Sequence, residues 1–242
     1  MPSVSIVIPM HNEADNVALL VEGIAKACRV ADSFEIICVD DGSTDETASR
    51  IRALQADHPT LRMLQHPTAG GQSSAVHSGV LAAKAPIICT LDGDGQNPPS
   101  ELPKLFTLLM NDKTGTLGLV AGQRVGRKDT LSKRWASKFA NGLRGWMLKD
   151  GTRDTGCGLK GFRRDAFLAL PYFDHMHRYL PALMARDGWE IAHVDVSHAA
   201  RHSGSSKYSN LQRALVGIYD LFGVAWLIRR RKKARPLAEE RS

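Results

Sequence analysis

Carboxylates occur at three places along this 242-residue chain where they could meet: His11-Asn12-Glu13, Asp40-Asp41-Gly42 and Asp92-Gly93-Asp94-Gly95-Gln96. The third group is chemically the most specific. Asp92 and Asp94 flank one glycine, and two carboxylates held that close repel unless a cation or a proton joins them. With Gln96 they offer the all-oxygen ligands that Mg²⁺ or Mn²⁺ takes. Pro98-Pro99 follows, a stiff pair suited to a loop entering a helix. A different chemistry belongs to Arg201-His202-Ser203-Gly204-Ser205-Ser206-Lys207. Gly204 lets the backbone approach a ligand, Ser206 can hydrogen-bond an oxyanion, and Lys207 supplies a compact cation. An arginine such as Arg201 can grip a phosphate with both arms of its guanidinium. Ser43-Thr44-Asp45-Glu46 has capping-box spacing from Ser43 to Glu46. Asp45 and Glu46 are therefore expected to start a helix rather than to bind anything.

Each carboxylate cluster comes directly after a short, β-branched, apolar run: Val4–Ile8, Glu35–Val39 and Ile87–Leu91. Runs of this kind read as buried parallel strands. Ligands of open α/β sheets sit beyond the carboxyl ends of the strands, so the three clusters are expected to line one crevice. Further strands are expected at Leu61–Gln65, Leu117–Ala121 and Trp189–Val196. Helices are expected from about Glu13 to Arg29, Thr44 to Ala56, Gly71 to Ala83 and Ser100 to Met110. That alternation predicts an α/β fold, a mostly parallel sheet with helices on both faces.

The second half is less regular. Residues 132–149 place Trp135, Phe139, Leu143, Trp146 and Met147 on one stripe among basic residues. Such a helix suits either a membrane interface or the face of the sheet. A glycine-rich segment from Gly151 to Gly161 contains Asp154-Thr155-Gly156-Cys157-Gly158. Leu215–Ile228 is apolar apart from Asp220 and runs into Arg229-Arg230-Arg231-Lys232-Lys233. It is shorter than the roughly 20 residues a membrane-spanning helix needs. With Tyr219, Phe222 and Trp226 it fits a helix lying in an anionic interface. Charge is divided the same way. Residues 1–120 hold 8 Lys/Arg against 14 Asp/Glu, whereas residues 121–242 hold 24 against 11. The basic half calls for an anionic partner: nucleic acid, a membrane surface or a phosphorylated substrate. No aromatic-basic RNA-binding pattern, zinc-finger spacing or heptad dimer accompanies it, so nucleic acid is not expected. Cys28, Cys38, Cys89 and Cys157 have no CxxC spacing, which suits a reduced, cytosolic setting. The N-terminus has no charged n-region or apolar h-region, so no signal peptide is expected.

Four segments together carry a resemblance: Val7–Glu13, Val39–Asp45, Asp92–Pro99 and Arg201–Lys207. On these the chain resembles the family 2 inverting glycosyltransferases of the GT-A fold. More narrowly, it resembles dolichol-phosphate mannose synthases and bacterial polyprenyl-phosphate glycosyltransferases. The likeness covers roughly residues 3–210 and leaves 211–242 as an interfacial helix with a polybasic tail. It implies that Pro9, Glu13 and Asp40 hold the base and ribose of a nucleotide sugar, with His11 and Asp41 beside them. Asp92, Asp94 and Gln96 would bind the Mg²⁺ or Mn²⁺ that bridges the donor diphosphate. Arg124, Arg134, Arg201, Ser206 and Lys207 fall at positions that face phosphates. Asp94, Arg201 and Lys207 would then be catalytic, with Asp154 the candidate base if one is used. Two positions depart from the pattern: His11 replaces the usual tyrosine, and Gly93 lies between the metal-site aspartates. The implied reaction moves a sugar from a UDP-sugar or GDP-mannose to a polyprenyl phosphate at the cytoplasmic membrane face. A family 2 transferase acting on a polysaccharide or lipid A precursor is the alternative enzyme. A basic membrane- or nucleic-acid-binding module is the alternative without catalysis.

Overall fold

The computed structural model describes residues 1–125, 151–152, 154–199 and 210–231, with residues 142, 144, 145, 147 and 148 between them. Seven strands form one sheet: β1 (Val4–Met10), β2 (Phe34–Asp41), β3 (Leu61–His66), β4 (Ile87–Thr90), β5 (Leu117–Arg124), β6 (Lys160–Arg163) and β7 (Glu190–Val196). Their order across the sheet is β3-β2-β1-β4-β6-β5-β7. Every pairing is parallel except the two that β6 makes, with β4 and β5. Thus β6 alone runs backwards and presents its first residue at the edge where its neighbours present their last.

Alternation within the strands sorts the core into two layers. Ile6, Ile8, Ile36 and Cys38 face α1 (Val17–Ala27) and α4 (Leu102–Met110), meeting Leu20, Ile24, Leu105 and Phe106. Val7, Ile37, Val39 and Ile88 face the other way, onto α3 (Gln72–Ala82), α5 (Arg164–Leu168) and α6 (Leu180–Arg186). A Cβ on Gly79 would overlap Val7, so the glycine lets α3 lie close against β1. Phe162 and Phe167 stack in this layer with ring centroids 4.9 Å apart. The last helix, α7 (Asn210–Arg229), buries Leu221 and Val224 in the same layer. All four cysteines are free and buried.

The strands expected at residues 4–8, 35–39, 61–65, 87–91, 117–121 and 189–196 are all present within a residue or a few, and β5 extends to Arg124. Three features differ from the sequence expectation. The antiparallel β6 begins at the end of the glycine-rich segment, where neither period nor turn chemistry signals a strand. The short helices α5 and α6 are additional. The capping box does not form at the start of α2 (Thr47–Leu54). Ser43 and Thr44 are held instead by Asn12, whose N–H donates to Ser43 Oγ (3.0 Å) and whose Oδ1 accepts the Thr44 N–H (2.8 Å). Asp45 takes over the helix start, accepting the Thr47 N–H (2.9 Å) and Oγ1–H (2.5 Å). Glu46 pairs with Arg50 at 3.0 Å. The basic stripe expected over 132–149 falls mostly outside the described residues.

Candidate active site

The ends of β1 and β2 build one wall of a crevice. Met10 lies level with Asp40 across the parallel pair. His11 Nδ1 donates to the Asp41 carbonyl (2.7 Å). Asn12 adopts a left-handed backbone (φ 56°), a conformation its short polar side chain tolerates. Glu13 donates its N–H to Thr47 Oγ1 (2.9 Å) and accepts from Asn16 Nδ2 (2.7 Å). Asp40 is fully buried. Its Oδ1 accepts the Ser43 N–H (3.2 Å) and its Oδ2 accepts Gln65 Nε2 (3.0 Å). Asp41 holds the loop after β3. Its two oxygens accept the Gly70 and Gly71 N–H groups (2.8 and 2.7 Å), and His66 Nδ1 lies 2.7 Å from Oδ1. His66 is fixed in turn by Ser78 Oγ at 2.9 Å. Gly42, at φ 64°, passes so close to Thr68 and Ala69 that a Cβ would lie 2.6 Å from their backbone.

The end of β4 is built differently. Asp92 Oδ1 accepts from Gln72 Nε2 (2.8 Å) and Oδ2 from Asn97 Nδ2 (3.0 Å). Asp94 Oδ1 accepts the Gln96 N–H (3.1 Å). Burial, and then the neighbouring Asp94 charge, push the Asp92 carboxyl above the usual range, while Lys160, Asn97 and Arg124 oppose the shift. Crowded carboxylates of this kind are stabilised by a divalent cation. Among the described residues no group of three or more His, Cys, Asp or Glu side chains could hold a metal. The oxygens of Asp92, Asp94 and Gln96 suit an ion that takes one or two carboxylates and completes its shell from substrate phosphates, as Mg²⁺ does. Gly93 has a local cause: a Cβ there would lie 2.9 Å from the Pro9 carbonyl oxygen, so only glycine lets this loop reach the end of β1. A Cβ on Gly158 would overlap the Asp92 carboxylate.

On the far side of β4 stand the residues that the antiparallel strand brings in. Arg124, at the end of β5, grips Asp154 with both arms, Nε to Oδ2 at 2.5 Å and Nη2 to Oδ1 at 2.8 Å. The Asp154 N–H donates to Gln123 Oε1 (3.0 Å). Two residues to which the resemblance gives separate tasks are thus joined as an ion pair. Lys160, the first residue of β6, is 4% exposed and donates from Nζ to the Cys157 carbonyl. Burial draws its ammonium pKa down, opposed by Cys157, Asp92 and Asp154. His177 Nδ1 lies 2.7 Å from Ser73 Oγ, and burial keeps its imidazole well below the usual value. Pro9, Gln72, Asp92, Lys160 and His177 line a common pocket.

The structure therefore gathers Pro9, His11, Glu13, Asp40, Asp41, Asp92, Asp94, Gln96, Arg124 and Asp154 along one edge of the sheet. Arg134, Arg201, Ser206 and Lys207 lie outside the described residues. Sequence reasoning missed Lys160, Gln72, Asn97 and His177. Asn97 lies in the loop after β4 but was given no role there, the other three do not come directly after an expected strand, and only the reversed direction of β6 puts Lys160 at this edge.

An open, mostly parallel sheet with paired aspartates beyond β4 and a buried aspartate at the end of β2 defines the GT-A class of glycosyltransferase. Residues 5–170 match glycosyl transferase family 2, and the chain belongs to that family. It is 34% identical over 226 residues to an undecaprenyl-phosphate 4-deoxy-4-formamido-L-arabinose transferase of Pectobacterium carotovorum, covering 90% of this chain and 66% of that protein. It is 35% identical over 237 residues to a dodecaprenyl-phosphate galacturonate synthase of Rhizobium johnstonii, covering 96% and 68%. The chain thus spans about two thirds of the length of these relatives. Its fold is similar to that of glucosyl-3-phosphoglycerate synthase from Mycobacterium tuberculosis in complex with Mn²⁺, UDP-glucose and phosphoglyceric acid. That likeness has a TM-score of 0.70 at 18% identity and covers 96% of this chain and 81% of the other.

Proposed function

We propose that this protein transfers a sugar from a nucleoside diphosphate to a polyprenyl phosphate. The observation that carries the reading is the Asp92–Asp94 pair at the end of β4, level with the buried Asp40 of β2. One wall suits a nucleoside and the other a metal-bound diphosphate. The relatives' names supply the acceptor class. Asp92, Asp94 and Gln96 would hold Mg²⁺ or Mn²⁺, which when bound neutralises charge on the departing diphosphate. Asp40, with Pro9, His11 and Glu13, would seat the nucleoside. Asp41 supports that seat from behind by holding Gly70 and Gly71.

An acceptor phosphate monoester has its second pKa near 6 and is largely dianionic at neutral pH. Its oxygen attacks the anomeric carbon and forms the new C–O bond. The bond to the β-phosphate oxygen breaks, its electron pair leaves with the nucleoside diphosphate, and the anomeric carbon is inverted. No proton has to be removed. A hydroxyl acceptor would need a base, and the candidate Asp154 is already gripped by Arg124. That pairing favours the phosphate acceptor over a polysaccharide hydroxyl. The enzyme's task is then to hold two anions in line against their repulsion. Arg134, Arg201, Ser206 and Lys207 are the residues proposed for it. Ala199, two residues ahead of Arg201 in the sequence, donates its N–H to the Gln96 carbonyl at 2.9 Å, which ties the chain after β7 to the metal loop as far as Ala199.

The lipid acceptor calls for a membrane surface. Helix α7 exposes Tyr219, Phe222 and Trp226 (84, 65 and 59%) while Leu221 and Val224 anchor it to the domain. Arg229, Arg230 and Arg231 follow. No helix among the described residues is long and apolar enough to cross a membrane. The proposed arrangement is a helix lying flat on an anionic, cytoplasm-facing leaflet. Replacing Tyr219, Phe222 and Trp226 together by serine should move the protein from membrane pellet to supernatant, and unchanged sedimentation at low salt would refute this. For the reaction itself, nucleotide sugars are screened against undecaprenyl phosphate with Mg²⁺ or Mn²⁺. Lipid-linked sugar should form with one of them. Transfer to a polysaccharide or lipid A precursor but not to the lipid phosphate would overturn the reading.

A further inference from the structure

Asp92 is held by two side-chain amides that belong to different parts of the fold. Asn97, which donates to Oδ2 at 3.0 Å, lies five residues on in the same loop after β4, so it travels with that loop. Gln72, which donates to Oδ1 at 2.8 Å, is twenty residues away and opens α3. The first turn of α3 is fixed independently of the β4 loop. Gly70 and Gly71, just ahead of it, donate their N–H groups to Asp41 (2.8 and 2.7 Å), and Ser73 Oγ lies 2.7 Å from His177 Nδ1. Further along the helix, Gly79 lies tight against Val7 of β1. Gln72 thus ties Asp92 to the wall built on β1 and β2.

The fold itself asks nothing else of this glutamine. Its side chain is exposed and belongs to neither core layer. Gly71 takes the N-cap position of α3, and among the described residues the one hydrogen bond of the Gln72 side chain goes to Asp92. Ordering a long, exposed side chain costs rotamer entropy, which a bond to a charged carboxylate offsets.

What the two amides do to Asp92 bears on the choice of ion. Each carboxylate oxygen already accepts one N–H, and the carboxylate also abuts Gly158, where a Cβ would overlap it. Asp92 is therefore held in one orientation. Mg²⁺ demands a near-ideal octahedral shell, whereas Ca²⁺ accepts irregular shells and often takes both oxygens of a carboxylate. A fixed carboxylate suits the first ion, and one free to swing suits the second. Partners that orient a metal ligand commonly change metal affinity by about 10- to 100-fold.

Resting on the reading of Asp92, Asp94 and Gln96 as the metal site, we infer that Gln72 is a positioning residue for that site. By holding Asp92 in one orientation it favours the small octahedral cations Mg²⁺ and Mn²⁺ over Ca²⁺. Gln72 acts through Asp92 and does not itself touch the ion.

The test uses the full chain with metal ions alone, and again with saturating UDP or GDP, and reads cation affinity rather than turnover. Mn²⁺ is titrated by electron paramagnetic resonance, and Mg²⁺ and Ca²⁺ by their displacement of it. Gln72→Met removes the amide and keeps the length of the side chain. It should weaken Mn²⁺ and Mg²⁺ binding about tenfold and Ca²⁺ binding by less than about threefold. Gln72→Asn keeps an amide on an arm too short to reach, and it should behave as Gln72→Met does. Metal-free melting temperatures of both should stay within about 2 °C of the wild type, since the altered side chain is exposed. Equal losses for all three cations would overturn the inference, as would unchanged affinities or a Gln72→Asn variant that binds like the wild type. A larger drop in metal-free melting temperature would overturn it in favour of a structural role for Gln72 in α3. A wild type that binds no Mn²⁺, with or without nucleotide, would overturn the metal-site reading itself, an outcome distinct from binding without discrimination.

Discussion

Two pairs of carboxylates, at the ends of β2 and β4 on either side of β1, have opposite surroundings. Asp40 and Asp41 are almost fully buried, and their oxygens accept from the backbone N–H groups of Ser43, Gly70 and Gly71 and from Gln65. His66 also faces Asp41. The structure has already made the bonds that stabilise these charges. Asp92 and Asp94 meet side-chain amides and one backbone N–H, and they lie close enough for Asp94 to raise the Asp92 carboxyl. The difference lies in what opposes the charge. Dipoles and hydrogen bonds built into the fold hold the first pair, while in the second the Asp94 charge raises the Asp92 carboxyl, a repulsion that a bound cation would relieve. On this contrast we propose the first as scaffold and nucleoside seat and the second as reactive centre.

The contrast breaks most visibly at Asp94. Asp94→Asn should lower transfer at least about 100-fold, since a metal-ligand charge supplies several kcal/mol of transition-state stabilisation. Its melting temperature should stay within a few degrees of the wild type. Near-normal turnover in Mg²⁺ or Mn²⁺ would remove the β4 pair from the reaction. Asp41→Ala should do the reverse and act first on stability. It strands two glycine N–H groups and His66, at a cost of about 3 kcal/mol, or roughly 6–12 °C in Tm. A variant that melts like the wild type would show that the loop after β3 does not depend on this carboxylate.

The lipid-phosphate side tests whether the site's anions are held separately. Lys207→Ala should raise the KM for polyprenyl phosphate or lower turnover by about tenfold, with donor affinity by calorimetry little changed. Parallel losses in both measurements would place Lys207 on the donor diphosphate instead. The smallest effect concerns Asp92 in metal-free protein. Its folded pKa lies above the unfolded value, so between the two the native chain binds more protons than the unfolded one. Stability is then lost as pH rises through that window, starting near about 4. Asp92→Asn should therefore raise the metal-free Tm at pH 7 by roughly 1–3 °C. Mn²⁺ should raise the melting temperature of the wild type more than that of the variant. A metal-free variant less stable than wild type would mean that the Gln72 and Asn97 amides outweigh the repulsion.

Much of this site was legible in the chain because parallel strands impose a simple rule: whatever follows an apolar run lies at the ligand edge. That rule puts Pro9, Glu13, Asp40, Asp92 and Asp94 at the carboxyl edge of the sheet, where the structure has them, and Gly93 needed only the nearness of the Pro9 carbonyl to be explained. Local pattern also marks α1 through α4, whose apolar faces recur at helical spacing. The rule fails where direction reverses. Lys160 begins a strand of four residues at the end of a glycine-rich run, and no periodicity shows that this strand is antiparallel. Its burial beside Asp92 is a tertiary fact.

Hydrogen-bond partnerships were the other thing hidden from sequence. Asp40 and Asp41 read alike in the chain, yet Asp41 closes on Gly70 and Gly71, about thirty positions away. Arg124 and Asp154 look like a phosphate ligand and a base until they are found paired across a similar distance. Local sequence determined the strands, their order of use and the residue types at their ends, because backbone preference and burial pattern act over a few residues. Which carboxylates are held by backbone dipoles and which is raised by a like charge was decided only when the sheet closed, because electrostatic energy depends on distance in space and on exclusion of water rather than on separation along the chain.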